Sequence, residues 1–92
     1  MATYVMLGRY SAEGVKGISA DRTKKGTAII EQAGGKVDSI LGVLGKYDLI
    51  IQAQFPGNTE AMKASVELGK LAGVSFMTMP AIAVQEFDKL AG

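Results

Sequence analysis

The sequence predicts one α+β domain with the element order β-α-β-β-α-β, the split-βαβ or ferredoxin-like arrangement with an antiparallel four-stranded sheet. Three observations carry that reading. Runs rich in β-branched, aromatic and aliphatic residues recur at Thr3–Tyr10, Lys36–Leu44, Tyr47–Phe55 and Val74–Val84. Stretches with helical apolar spacing separate the first run from the second and the third from the fourth. Between the middle runs there is only Gly45-Lys46, the length of a tight hairpin, while each helix makes a crossover that is right-handed by rule. Ninety-two residues suit a single such domain, spanning 1–92.

The elements follow in order. Strand one stops at Ser11, which caps a short helical turn with Glu13 in its first turn. Gly14, Gly17 and Gly26 each weaken a helix by about 1 kcal/mol relative to alanine, so a break is expected near Ser19-Ala20. A main helix then runs from Asp21, as its cap, to Ala33, with Arg22 and Ile29 on its apolar face, and Gly34-Gly35 ends it. Pro56-Gly57-Asn58 closes strand three. Asn58 or Thr59 caps the second helix, whose apolar stripe includes Ala61, Met62, Val66 and Leu68, and Gly73 terminates it after Ala72. Strand four contains Pro80, which confines it to an edge. Gln85–Leu90 is expected to form a short helical tail anchored by Phe87 and Leu90. This topology puts strands one and three in the middle, and the unalternating Leu49-Ile50-Ile51 suits a strand covered on both faces.

Parity along the strands sorts the two sheet faces. With Val5 and Leu7 placed toward the helices, Tyr4, Met6, Gly8 and Tyr10 point away, joined by Ile50, Gln52 and Gln54; strand four offers two sets, Phe76, Thr78, Ile82 and Ser75, Met77, Met79, Ala81, and neither is charged. A monomeric two-layer protein shows water a charged outer face. This one shows apolar and neutral side chains, in a chain that is 48% hydrophobic and 21% charged. The face is expected to be covered by a second copy, giving a homodimer or higher oligomer.

Composition excludes several chemistries. With no cysteine and no histidine there is no zinc finger, haem, iron–sulfur cluster, disulfide, catalytic thiol or Ser-His-Asp triad. Asp38 and Asp48 are the hairpin's only carboxylates, too few for a hard-cation site, so no metal is expected. Gly34-Gly35-Lys36 lacks the spacing of a phosphate-binding loop, and no cofactor is expected. A net charge of +1 disfavours a nucleic-acid partner. No apolar run approaches the roughly 18 residues of a membrane span. The opening has no basic n-region, Ala2 stands where myristoylation needs glycine, and Lys89-Leu90-Ala91-Gly92 is no lipidation box. No membrane partner and a cytoplasmic location are the expectation.

Antiparallel pairing of strands one and three brings Arg9 and Tyr10 beside Tyr47 and Asp48. The same parity turns Arg9 and Tyr47 toward the helices and Tyr10 and Asp48 toward the open face. There Arg9 and Tyr47 would hold an anionic or carbonyl ligand in a cleft between sheet and helix. Alternatively, Tyr47 and Asp48 fix the hairpin while Arg9 pairs at the surface. Asp21, Arg22, Lys25 and Glu31 read as surface charge, although Arg22 falls on the apolar stripe; if buried it needs a partner, which makes it a further ligand contact. The candidate ligand-binding set is therefore Arg9, Tyr47, Asp48 and Arg22, with no catalytic residue assigned, because no base for neutral pH is evident. These features favour a small-molecule-binding or interaction module. The alternative is a cofactor-independent enzyme, monooxygenase- or isomerase-like, with Tyr47 as acid and Arg9 as oxyanion stabiliser. RNA binding across the sheet is disfavoured, since no lysine or arginine alternates with Tyr4 and Tyr10.

Gly45-Lys46-Tyr47-Asp48, reached from Leu41-Gly42-Val43-Leu44 and followed by Leu49-Ile50-Ile51, resembles the Gly-x-Tyr-Asp signature of the GYD-domain family of small bacterial proteins. The resemblance extends to the Gly34-Gly35-Lys36 helix exit and the Glu86-Phe87 tail, nearly the whole chain. It departs from the family pattern at Val43-Leu44, where an aromatic residue before the turn is lacking. The resemblance implies a ferredoxin-like dimeric α/β barrel and no assigned reaction.

Overall fold

A computed structural model describes residues 1–92. Its elements are β1 (Ala2–Tyr10), α1 (Ala12–Lys16), α2 (Ala20–Gln32), β2 (Lys36–Gly42), β3 (Leu49–Phe55), α3 (Asn58–Ala72), β4 (Val74–Ala81) and α4 (Val84–Ala91). The four strands form one antiparallel sheet in the order β2-β3-β1-β4, the ferredoxin-like order expected from the crossovers and hairpin. Pro80 falls on edge strand β4, where a missing backbone donor costs least. No helix is long and apolar enough to cross a membrane.

Local chemistry explains the helix boundaries. Ser11 caps α1 by accepting from the Gly14 amide at 3.0 Å. The cap of α2 is Ser19, which accepts from the Arg22 amide at 3.0 Å, so the helix starts before the expected Asp21. Asp21 instead lies inside the first turn, where a carboxylate suits the helix dipole. Gly73 ends α3 in the left-handed conformation, φ 62°, which glycine adopts without penalty. The α1 turn is tied to this end of α3, because the Ser11 amide donates to the Gly73 carbonyl at 2.8 Å.

The β2–β3 register matches a Gly45-Lys46 turn from Ser39 to Gly42, with Leu41 opposite Ile50 and Gly42 opposite Leu49. The ladder stops sooner than expected, however, leaving residues 43–48 as the connection, pinned by the Val43 amide donating to the Asp48 carbonyl at 2.9 Å. At the other end a bulge between Val37 and Ser39 sets Val37 against Ala53 and leaves Asp38 without a partner in the register.

The faces of β1 are opposite to the parity the sequence suggested. Tyr4 and Met6 are buried among Ile30, Ile51, Phe55, Ala61, Ala64 and Leu68, whereas Val5 and Leu7 lie on the open face. Register decides it: Tyr4 pairs with Ala53 and Met6 with Ile51, and both partners belong to the helix side of β3. Tyr4 also finds there what a buried phenol requires, donating to Asn58 Oδ1 and meeting Phe55 edge-to-face at 5.7 Å. Gly8 is a second determinant. A Cβ at that position would approach Phe76 to 2.8 Å, so this side of the strand has no room for a side chain.

The open face remains largely apolar after this correction. Pairing across the sheet sets Leu41, Ile50, Leu7 and Met77 in one unbroken row from edge to edge. Leu41 and Met77 are 55% and 52% exposed, more than an interior contact would allow. The next row, Ser39, Gln52, Val5 and Met79, is half polar, and Lys36 and Arg9 lie in other rows, opposite Gln54 and Ser75. The tail helix α4 forms but is not anchored, since Phe87 and Leu90 are 61% and 81% exposed.

Candidate functional site

A cavity of about 60 Å³ lies between the sheet and the helix pair α2 and α3. Its apolar wall includes Ile30, Ile51, Leu68 and Phe76, and its polar end carries Arg22 and Tyr10. The fold brings these together because Tyr10 ends β1 on the helix side while Arg22 lies in the first turn of α2. The Arg22 guanidinium stacks over the Tyr10 ring at 5.3 Å from its centroid. Gly17, in the break between α1 and α2, makes that placement possible: a Cβ there would lie 2.5 Å from Arg22 Nη1.

Arg22 is electrostatically unusual among the charged side chains. The ion pairs of the chain are Lys16 with Glu13, Lys25 with Asp21 and Lys70 with Glu67, all exposed and along single helices. None involves Arg22. Its Nη2 is buried and has no hydrogen-bond partner. A charged donor in that condition forgoes hydration without replacement, which folded proteins seldom tolerate unless a ligand or water supplies the acceptor.

The other expected site residues lie elsewhere. Arg9 is exposed on the open face opposite Ser75, because it shares the parity of Val5 and Leu7. The Tyr47 hydroxyl lies 3.9 Å from the Met77 sulfur, also on the open face. Neither lines the cavity, so the expected Arg9–Tyr47 cleft on the helix side is not formed. Asp48 accepts from the Tyr10 amide at 3.0 Å and donates its own amide to the Gly8 carbonyl at 2.9 Å, clamping the hairpin to the end of β1. That is the structural alternative the sequence left open for it. Of the expected set, only Arg22 reaches the cavity between sheet and helices, while Arg9 borders a separate open groove with Ser11, Gly73 and Ser75. Tyr10, which lines the Arg22 cavity, and Gly17, which makes room for the guanidinium, escape the sequence reading because their contributions depend on three-dimensional stacking rather than spacing.

The fold and this helix–sheet cavity define a ferredoxin-like α+β protein. The GYD domain profile matches residues 4–91, and the chain belongs to that family. No curated protein matches the sequence. Among solved structures, a homoserine dehydrogenase from Thiobacillus denitrificans is similar with a TM-score of 0.53 at 18% identity. The match covers 86% of this chain but 17% of that one, so the likeness is one of fold over a small part of a larger enzyme.

Proposed function

We propose that this GYD-domain protein is a self-associating module that binds a small molecule, working in the reducing cytoplasm of a bacterial cell. The observation that carries the reading is the row Leu41, Ile50, Leu7 and Met77, apolar across the full width of the sheet face away from the helix-side core, with both of its ends more than half exposed. Covering this row with the same row of a second copy removes both from water, and a two-fold pairing needs only one self-complementary surface. The helix–sheet cavity lies on the opposite side of the sheet, so pairing leaves it free for a ligand. The enzymatic alternative relied on Arg9 and Tyr47 lining that cavity, and neither does.

Light scattering at micromolar concentration tests the assembly. A dimer or larger mass is expected, and a monomer mass overturns the reading. Ile50→Asp places an unpaired charge in the middle of the apolar row and should give a monomer or an unfolded chain. An Ile50→Asp protein that stays folded and dimeric excludes this face as the interface.

A further inference from the structure

We propose that the cavity between the sheet and helices α2 and α3 is a binding site for a short-chain monocarboxylate, held by Arg22. The inference rests on the small-molecule reading above and names the ligand class. The polar end of the cavity offers a guanidinium with a buried, unpartnered Nη2, and no carboxylate of the chain pairs with it. A planar fork of donors lacking an acceptor matches a carboxylate, which takes two parallel hydrogen bonds from arginine. The Tyr10 ring beneath and Gly17 beside the guanidinium fix its position before any ligand arrives.

The rest of the cavity sets the size and polarity of the ligand's other end. Thr23 and Thr27 of α2 add hydroxyls to the lining, but most of it, Ile30, Ile51, Leu68 and Phe76 among it, offers no hydrogen bonds, so the tail is aliphatic. A volume of about 60 Å³ suits an acid of a few carbons and is too little for a fatty acid or a nucleotide. The chain supplies one cation here, which fits one negative charge rather than a phosphate ester or dicarboxylate.

The test is a titration of the full chain with acetate, propionate and butyrate at constant ionic strength, followed by amide chemical shifts. Chloride, sulfate and n-butanol are the comparison probes. Saturable shifts at Gly17, Arg22 and Gly26 with the carboxylates are expected, and at least tenfold weaker binding in Arg22→Met. Gly17→Ala is the second variant: its backbone, at φ −96°, accepts alanine, while the new methyl displaces the guanidinium without removing its charge. It too should bind at least tenfold more weakly while keeping the shift pattern of a folded protein. Absence of saturable shifts with all three carboxylates overturns the site, as does unchanged affinity in a folded Arg22→Met protein. Equal response to chloride or sulfate means an adventitious anion only and overturns it as well. Equal or tighter binding of n-butanol keeps the cavity as a small-molecule site but removes the carboxylate assignment. The mass of the same samples is independent of all these outcomes, so a failed ligand and a failed assembly are read separately.

Discussion

Two glycines of similar local appearance have opposite roles at the scale of single residues. Gly14 is buried, and a Cβ there would lie 2.6 Å from the carbonyl oxygens of both Ala72 and Gly73. Those are backbone atoms at the end of α3 and have little freedom to move. Gly14→Ala therefore loses more to overpacking than it gains in helix propensity, and chemical denaturation should show a loss of about 1–3 kcal/mol. Gly17 faces only the tip of a flexible arginine, so its replacement by alanine should alter denaturation much less. Arg22 carries the reverse expectation. Replacing a charged donor that has a buried, unpartnered nitrogen with methionine should leave stability unchanged or raise it by about 1 kcal/mol in ligand-free protein. A clear loss in denaturation midpoint would show that Arg22 has a structural partner in solution.

Sequence patterning located the strands, the main helices and their glycine stops because those depend on local propensity and near-neighbour spacing. It misassigned the faces of β1 for a physical reason. Val5 and Leu7 alternate with Tyr4 and Met6, so both sides of this central strand are apolar and alternation carries little orientation information. Gly8 held the missing signal, being the one position on that strand without a side chain, under the Phe76 ring. The error moved Arg9 and Tyr47 into a cleft they do not share, whereas Arg22, read as surface charge despite its place on the apolar stripe, lines the cavity. Helix α4 presents a different case. Val84, Phe87 and Leu90 recur at helical spacing and lie on the helix, but all three are more than half exposed, so their apolar face is largely unpacked. A helix of eight residues gains too few hydrogen bonds to persist by itself. In a self-associated protein it is expected to dock against the neighbouring copy. Phe87→Ser together with Leu90→Ser should then weaken assembly without unfolding the sheet, measurable as a lower mass on dilution alongside unchanged strand content by circular dichroism.

At the scale of the whole molecule, only 12 of 92 residues are buried, a small fraction even for a domain this size. The molecule extends 47 × 30 × 18 Å, and its short dimension holds one sheet and one layer of helices. Much of its apolar surface is thus outside any core, on the open sheet face and α4. If association buries that surface, folding and assembly are thermodynamically linked, and the melting temperature depends on protein concentration. A tenfold increase in concentration should raise Tm measurably in the wild-type chain and leave it fixed in Ile50→Asp where that variant folds as a monomer. A wild-type Tm that is independent of concentration across the monomer–dimer range would contradict the linkage.

The two sheet edges determine what form such an assembly takes. An apolar sheet with free backbone groups along its sides invites strand-by-strand addition, a process with no natural end. Here β4 carries Pro80 and β2 carries the bulge at Asp38, whose carboxylate is held 3.2 Å from the Gln54 side-chain amide. One edge lacks a donor and the other is kinked beside a charge, so neither offers a straight template for another strand. Any association is thereby left to the open face, where pairing would consume the surface that drives it. Growth would then terminate after a fixed number of copies, and the broad apolar face would not seed fibres.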